Sequence, residues 1–315
     1  MNRGRVLIAD GVHEVLPESL RNMGYEVTYL PDIDDEGVDA LLPDLSGIII
    51  NSKTIMDTRR FAMAGRLRFI GRLGSGLEII DVQEAERLGI RVFNSPEGNC
   101  QAVAEHALGM LLALYNQLLM ADGDVRNFSW DREARRGNEI EGKTIGIIGV
   151  GYTGSAFARV LSGFDVKVCL YDKYKHVEVP SSCRANYMVM DSMAACVASA
   201  DVVSLHLPLT SETRQMVNAE WLRSCKSKSV LINTSRGPIV NTADLVACLD
   251  EGHLSGACLD VFENEKQNEM SEEAKYVYKL LYKMSNVILS PHVAGWTHES
   301  KFKLSRILAD KINTL

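Results

Sequence analysis

Short apolar runs alternate with longer amphipathic stretches along the first hundred residues. This alternation is typical of βα units and predicts a parallel sheet covered by helices. Strands are predicted at Val6–Ala9, Glu26–Leu30, Gly47–Asn51, Arg68–Gly71 and Arg91–Asn94.

The same alternation restarts near residue 144, after a helical segment and a polar connection. The apolar segment Gln101–Met120 is interrupted by Glu105 and Gln117, so it predicts a buried helix and not a membrane span. Ala121–Gly142 is predicted to be an irregular connection. The second series of strands is predicted at Thr144–Val150, Lys167–Tyr171, Asp201–Leu207, Ser229–Thr234, Gly256–Phe262 and Asn286–Ser290. The fold class is therefore α/β, with two doubly wound parallel-sheet domains.

Length and composition agree with a two-domain globular protein. The chain has 315 residues, which is long for a single core, and 46% of them are hydrophobic. The net charge of −7 argues against a nucleic-acid partner. The first strand follows Met1 within a few residues, without the apolar core of a signal peptide, which predicts a cytoplasmic protein. Seven cysteines without a CxxC pair indicate reduced thiols, and neither a disulfide framework nor a metal site is expected.

A glycine-rich loop opens the second series. The strand at Thr144 enters Gly149-Val150-Gly151-Tyr152-Thr153-Gly154. Such glycines permit a tight turn, close approach of the backbone to a pyrophosphate and close packing of the next helix, whose N-terminus favours anions. Asp172 lies 21 residues after Gly151, where a carboxylate accepts hydrogen bonds from a ribose and repels a 2′-phosphate. The pattern predicts NAD as the cofactor in preference to NADP.

Polar residues also follow three later strands of the second series. The three stretches are Asn233–Pro238, Asp260–Glu265 and Ser290–Gly295. Ligands of open α/β sheets bind beyond the carboxyl ends of the strands, so these stretches are the first candidates for function.

Three of these residues match the chemistry of hydride transfer to a 2-oxo acid. The Arg236 guanidinium is suited to a carboxylate, and His292 can protonate the developing alkoxide. A neighbouring Glu265 carboxylate would favour imidazolium and orient the ring. Each residue alone also has a structural interpretation, as a surface ion pair, a solvated charge or a turn histidine. Asp260 is either a helix cap or an acceptor for the nicotinamide carboxamide. His206 either lines the cofactor cleft or only makes hydrogen bonds within its own loop.

An ordered series of motifs over nearly the whole chain resembles the D-isomer-specific 2-hydroxyacid dehydrogenases, and most of all their D-3-phosphoglycerate dehydrogenase group. The motifs are Gly71–Gly76, Asn94–Asn99, Val103–His106, Gly142–Gly154, His206–Thr210, Asn233–Pro238, Asp260–Glu265 and Ser290–Gly295. The resemblance implies that Arg236 binds substrate, His292 is the acid/base and Glu265 is its partner. It implies cofactor contacts at Ser75, Gly149, Gly151, Tyr152, Thr153, Gly154, Asp172, His206, Leu207, Pro208, Thr234, Ser235, Asp260, Ala294 and Gly295. Substrate contacts are expected at Asn51, Lys53, Arg72, Gly74 and Ser75, besides Arg236 and His292.

The resemblance also implies a domain organisation. A flavodoxin-like substrate domain would comprise residues 1–98 and 295–315, and a Rossmann NAD-binding domain residues 99–294. In the family the cleft between such domains closes over substrate. Members are commonly homodimers that pack through the helix near Gln101–Met120.

Departures from the family pattern concern the substrate. Asn51 stands where phosphoglycerate members usually carry an arginine. Lys53 is a candidate replacement, although it is a point charge without the arginine fork. Lys266 replaces the usual proline after the catalytic glutamate, which predicts a less rigid Glu265. No regulatory domain follows Leu315, so serine feedback is not expected.

The sequence therefore predicts an NAD-dependent oxidoreductase with a small 2-hydroxy or 2-oxo acid as its substrate and no membrane partner. The first candidate is the pair 3-phosphoglycerate and 3-phosphohydroxypyruvate, of serine biosynthesis, and the alternative is reduction of hydroxypyruvate or glyoxylate. NADH-sensing transcriptional co-repressors share the fold and the same three residues, so a binding protein is a third hypothesis. The lack of disordered or basic flanks weighs against that hypothesis.

Overall fold

The computed structural model describes residues 3–175, 177 and 186–315. By its internal contacts the chain divides into two compact units, which we call unit 1 (Met1–Cys100 and Trp296–Leu315) and unit 2 (Gln101–Gly295). The substrate and cofactor roles that we assign to the two parts of the chain, with limits at residues 98 and 294, stay predictions.

Unit 1 contains a five-stranded parallel sheet with the order β2-β1-β3-β4-β5. This is the flavodoxin-like order, as predicted. The strands are β1 Arg5–Ile8, β2 Glu26–Tyr29, β3 Leu45–Ile50, β4 Phe69–Arg72 and β5 Arg91–Asn94, and the helices are α1 Val15–Asn22, α2 Asp35–Leu41, α3 Thr58–Met63, α4 Val82–Arg87 and α12 His298–Ile312.

The two faces of this sheet are buried by alternate residues of its strands. Val6 and Ile8 of β1 pack in one cluster with Phe69 and with Leu308 of α12. Leu7, between them, packs in the cluster on the opposite face. A parallel sheet covered on both sides needs such continuous apolar strands, which explains why the sequence revealed them.

Unit 2 contains a seven-stranded parallel sheet with the order β12-β11-β10-β9-β6-β7-β8. Its strands are β6 Thr144–Ile148, β7 Lys167–Tyr171, β8 Asn186–Val189, β9 Val202–Leu205, β10 Ser229–Asn233, β11 Leu254–Leu259 and β12 Val287–Leu289. Its helices are α5 Cys100–Tyr115, α6 Leu118–Arg126, α7 Tyr152–Leu161, α8 Met193–Ser199, α9 Ala219–Ser224, α10 Thr242–Asp250 and α11 Glu272–Leu281. The order of the strands reverses at β6, which lies between β7 and β9, as in a Rossmann fold.

The structure differs from the sequence predictions between residues 101 and 142. The single buried helix predicted at Gln101–Met120 is two helices, because Gln117 adopts a left-handed conformation with φ 50°. Leu118 and Leu119, which follow the break, are 53% and 61% exposed. The irregular connection predicted from Ala121 begins inside α6.

Among the described residues no helix is long and apolar enough to cross a membrane. Six cysteines are free and buried in the described part of the chain, and Cys183 lies outside it. Burial raises the pKa of the thiols of Cys196 and Cys225 to about 12, so these side chains pack as neutral apolar groups.

Candidate cofactor and catalytic site

The glycine loop after β6 is shaped by two close backbone contacts. Gly149 has φ 93°, and a Cβ built there would lie 2.4 Å from the His206 carbonyl oxygen. A Cβ on Gly154 would lie 2.0 Å from the Gly149 carbonyl oxygen. Both positions therefore require glycine for packing within the protein.

Gly151 differs from these two glycines. A Cβ on Gly151 would meet no described atom within 4 Å. Gly151 is the N-cap of the ten-residue helix α7, which begins at Tyr152. Open space beside the backbone, together with the first amides of a helix, is the arrangement that accepts a pyrophosphate. The loop thus fits the dinucleotide predicted for it.

Asp172 connects the end of β7 to the glycine loop. Its Oδ2 accepts from the Val150 amide at 2.8 Å, and its Oδ1 accepts from the amides of Tyr174 and Lys175 at 2.9 and 3.0 Å. A carboxylate offers about four acceptor positions, so Asp172 retains capacity for a ribose hydroxyl. Its contact with the cofactor stays a prediction.

His206 follows β9, before Leu207 and Pro208. Its Nε2 lies 2.9 Å from the Ser204 hydroxyl, and its ring packs on Phe157 of α7 with 5.4 Å between centroids. Burial lowers the pKa of His206 to about 3, so the ring is neutral near pH 7. Its Nδ1 is buried and has no hydrogen-bond partner among the described residues. His206 therefore supports the loop by packing, and its role toward the cofactor stays a prediction.

The turn after β10 presents Thr234, Ser235 and Arg236. Asn233, a buried residue to which the sequence assigned no separate role, accepts from the Ser235 amide at 3.1 Å and the Ser235 hydroxyl at 2.8 Å. Its Nδ2 donates to the Arg236 carbonyl at 3.0 Å. The Thr234 hydroxyl is buried without a hydrogen-bond partner in the described part of the chain, which suits a residue predicted to contact the cofactor.

The turns after β10 and β11 touch through their backbones. A Cβ on Gly237 would lie 1.8 Å from the Phe262 carbonyl oxygen. This contact brings Arg236 to the loop that carries Glu265, and the Arg236 charge is one of the factors that lower the pKa of Glu265.

Glu265 and His292 form a hydrogen-bonded pair on neighbouring loops. The distance from Glu265 Oε2 to His292 Nδ1 is 3.0 Å. Burial by itself would raise the pKa of Glu265, but the hydrogen bond from His292 and the charges of His292 and Arg236 outweigh it and hold the pKa below its usual value. Glu265 is therefore ionised at neutral pH, as an orienting group for histidine must be. The structure brings the three predicted catalytic residues together in unit 2.

The polar loop around Glu265 is anchored by residues that the sequence did not single out. Glu263 accepts from the Thr242 amide at 3.1 Å and the Thr242 hydroxyl at 3.0 Å, and Gln215 donates to its other oxygen. The Tyr278 hydroxyl accepts from the Asn264 amide at 3.0 Å. Glu265 itself accepts from the Phe262 amide at 3.4 Å. These contacts anchor the loop, and the lower rigidity of Glu265 predicted from Lys266 stays a prediction.

Asp260 holds the turn that presents His292. Its buried carboxylate accepts from the Ser290 hydroxyl at 2.6 Å and from the amides of Val293 and Ala294 at 2.9 Å each. The His292 amide donates to the Asp260 carbonyl at 2.7 Å, and His292 has φ 56° in the left-handed region. Asp260 therefore stabilises this turn. It is not a helix cap, since no helix begins after it in the described chain until Gln267. The contacts predicted for Asp260, Ala294 and Gly295 with nicotinamide stay predictions.

The predicted substrate residues of unit 1 follow the adjacent strands β3 and β4. Asp10, which the sequence did not reveal, accepts from the Asn51 amide at 2.7 Å and lies 3.6 Å from the Lys53 ammonium. Lys53 also donates to the Pro31 carbonyl. The Lys53 charge is thus paired with Asp10 inside unit 1, while its side chain stays 51% exposed. Its role as a replacement for the arginine missing at position 51 stays a prediction.

Arg72 ends β4, and Gly74 and Ser75 follow it. Arg72 donates to the Leu73 carbonyl at 3.1 Å. Gly74 has φ 136°, and a Cβ there would lie 1.6 Å from Arg72 Nη1, so glycine lets the guanidinium lie against the backbone. The Ser75 carbonyl accepts from Asn94 at 2.8 Å. Substrate binding by these residues stays a prediction.

Comparison with known proteins agrees with this geometry. The family model described as D-isomer specific 2-hydroxyacid dehydrogenase, NAD binding domain, matches residues 108–294. The D-3-phosphoglycerate dehydrogenase of Synechocystis sp. is 32% identical over 308 residues, which are 98% of this chain but 53% of that protein. The chain thus spans about half the length of this relative. The glyoxylate reductase of Thermofilum pendens is 36% identical over 258 residues, which are 81% of this chain and 73% of that protein.

A solved structure shows the same fold. The D-lactate dehydrogenase of Aquifex aeolicus, crystallised with NAD and lactic acid, superposes with a TM-score of 0.82 at 25% identity. The match covers 98% of this chain and 94% of that one. The predicted fold class and the prediction of NAD as the cofactor are confirmed, and the chain belongs to the D-isomer-specific 2-hydroxyacid dehydrogenase family.

Proposed function

We propose that this NAD-binding enzyme interconverts 3-phosphoglycerate and 3-phosphohydroxypyruvate. The observation that carries the general reaction is the Glu265–His292 pair at 3.0 Å, with the Arg236 charge beside it. Phosphoglycerate is the first candidate because relatives of that name match 98% of the chain. The proposal includes unit 1 as the substrate-binding part, a homodimeric assembly and a cytoplasmic location.

In this proposal, side chains of unit 2 transfer the proton and orient the substrate. The glycine loop and Asp172 would hold NAD(H), which when bound would supply or accept the hydride. Arg236 binds the substrate carboxylate through its planar fork and polarises the adjacent carbonyl. Because His292 Nδ1 faces Glu265, Nε2 is the atom that gives a proton to the carbonyl oxygen during reduction and takes it back during oxidation. The ionised Glu265 accepts from Nδ1 and so orients the ring with Nε2 directed away from the pair.

A second candidate is the reduction of hydroxypyruvate or glyoxylate. It is favoured by the pairing of Lys53 with Asp10, which offsets part of the positive charge that a phosphate would need at the end of β3. The 36% identity to a glyoxylate reductase agrees with it.

A kinetic panel tests the proposal. NADH oxidation is followed with 3-phosphohydroxypyruvate, hydroxypyruvate, glyoxylate and pyruvate under the same conditions. We expect the highest kcat/KM with the phosphorylated compound. A higher value for hydroxypyruvate or glyoxylate would establish the second candidate. NADH binding without turnover of any of the four would indicate a cofactor-sensing binding protein.

A further inference from the structure

Three side chains outside the catalytic group meet across the end of β6. Lys173 and Tyr174 follow β7, and Glu212 lies in the turn after β9. The Lys173 ammonium pairs with one carboxylate oxygen of Glu212, and the Tyr174 hydroxyl donates to the other. Because β7 and β9 lie on either side of β6, this clasp of Lys173, Tyr174 and Glu212 spans the strand end from which the glycine loop starts.

Both sides of the clasp are held by their own loops. Asp172 accepts from the Tyr174 amide at 2.9 Å, which fixes the chain beside Lys173. The turn that carries Glu212 is closed by Thr213, whose hydroxyl donates to the Pro208 carbonyl at 2.7 Å and accepts from the Thr210 amide at 2.9 Å. The contact is therefore made between two positioned loops.

The charges of the clasp bear on cofactor choice. Lys173 is adjacent to Asp172, the residue predicted to accept the adenosine ribose hydroxyls. A cation at this place would attract the 2′-phosphate that distinguishes NADP from NAD. Glu212 neutralises that cation and adds a second carboxylate near Asp172. Hydrogen bonds from Lys173 and Tyr174 lower the pKa of Glu212, so the carboxylate is ionised at neutral pH.

We propose that Glu212 determines cofactor selectivity by holding the Lys173 ammonium, so that the lysine is not available to a 2′-phosphate. Asp172 repels the phosphate directly, and Glu212 removes the cation that would offset this repulsion. The inference rests on the dinucleotide site within the proposed function and is independent of which 2-oxo acid is the substrate.

The variant Glu212→Gln tests this role. Glutamine keeps the size of the side chain and one acceptor oxygen for Tyr174, but it carries no charge to form an ion pair with the ammonium. Dissociation constants of NADH and NADPH are measured on the full chain by nicotinamide fluorescence. We expect NADPH affinity to rise about threefold to tenfold and NADH affinity to change less than about twofold, since the site is exposed and solvent screens the released charge. The gain should diminish in about 0.5 M salt.

Two controls isolate the cause. Glu251→Gln removes a comparable exposed ion pair, with Arg223 at 3.3 Å, at the amino end of the sheet, and should change neither affinity. The double variant Glu212→Gln with Lys173→Gln should lose the gain. Unchanged NADPH affinity in Glu212→Gln with NADH binding intact would overturn the proposal, as would a gain that persists in the double variant. Failure of the unaltered protein to bind NADH would instead count against the proposed function.

Discussion

The two units build the same kind of parallel sheet but fill the point where its strand order reverses in different ways. In unit 1 that point lies at β1, where the Asp10 carboxylate accepts from the Asn51 amide and pairs with Lys53. In unit 2 it lies at β6, where Gly149, Gly151 and the first turn of α7 present backbone. At the same topological position, unit 1 therefore has a carboxylate with partners inside the unit, whereas unit 2 has open backbone at a helix N-terminus, where an anion is predicted to bind.

The largest expected effect concerns the catalytic residues of unit 2. His292→Ala should lower turnover by about two to four orders of magnitude, because the general acid is lost. NADH affinity should stay within about twofold, since the glycine loop is untouched. Steady-state kinetics with the best 2-oxo acid and an NADH titration measure both quantities. His298→Ala, an exposed histidine of α12, is the matched control. Full turnover in His292→Ala would remove His292 from the mechanism.

A second variant breaks the anion site by steric means. In Gly154→Ala the new Cβ would lie 2.0 Å from the Gly149 carbonyl oxygen, so α7 must shift away from the loop. We expect NADH affinity to fall more than about tenfold and the free energy of unfolding to drop by about 1–3 kcal/mol, as for other overpacked sites.

The control for this variant is Gly163→Ala, whose Cβ would lie 3.9 Å from the Val160 carbonyl, an ordinary contact. Titration with NADH measures the affinity of both variants, and thermal unfolding measures their stability. Equal NADH affinity for Gly154→Ala and the unaltered protein would show that the loop of unit 2 does not hold the dinucleotide.

Asp172 offers a smaller effect on the same site. Asp172→Ala should weaken NADH binding about tenfold and reduce the preference over NADPH, because an acceptor and a negative charge disappear together. Part of that loss in affinity would come from the broken hydrogen bond that the Val150 amide donates to Asp172 at 2.8 Å in the unaltered protein. Asp172→Asn removes the charge and keeps one acceptor oxygen, although the amides of Val150, Tyr174 and Lys175 use both oxygens of the carboxylate. Cofactor preference that is the same in all three proteins would refute the assignment of Asp172.

The smallest effect is expected in unit 1. Asp10→Asn retains an acceptor for the Asn51 amide but releases the Lys53 ammonium from its pair. If unit 1 binds the phosphate, KM for 3-phosphohydroxypyruvate should fall about threefold while KM for hydroxypyruvate stays constant, as an exposed lysine contributes modestly. Asp44→Asn, which removes the exposed pair with Arg66, is the control. A KM that falls equally for both compounds would contradict a phosphate role for Lys53.

The sequence predicted the elements that are buried on both sides. The first strand, predicted at Val6–Ala9, is β1 at Arg5–Ile8, and the glycine loop opens the second sheet where expected. Such strands are continuous apolar runs, which a linear pattern reveals. That Arg236, Glu265 and His292 lie near one another could likewise be predicted from residue types at strand ends, while their chemistry stays a prediction.

Other features depend on contacts that no local pattern encodes. β8, at Asn186–Val189, is an edge strand with largely exposed residues, so its apolar signal is weak and it was missed. The break at Gln117 depends on a left-handed residue that the apolar run around it conceals. Asp10 and Glu263 bind partners 41 and 48 residues away in the chain, so their roles emerged only from the structure.

The place of α12 in the chain has a consequence for biosynthesis. Leu308, Ala309 and Ile312 of this helix complete the cluster that contains Val6, Ile8 and Phe69. The ribosome synthesises the whole of unit 2, Gln101–Gly295, after the first sheet and before α12. At a synthesis rate of about 5–20 residues per second, one face of the first sheet would stay uncovered for roughly 10–40 s until α12 is made. Unit 2 is itself incomplete during this interval, since β12 ends at Leu289 and α12 begins at His298. The last strand of the second sheet and the covering helix of the first are therefore made almost together, and the two sheets are expected to be completed within seconds of each other.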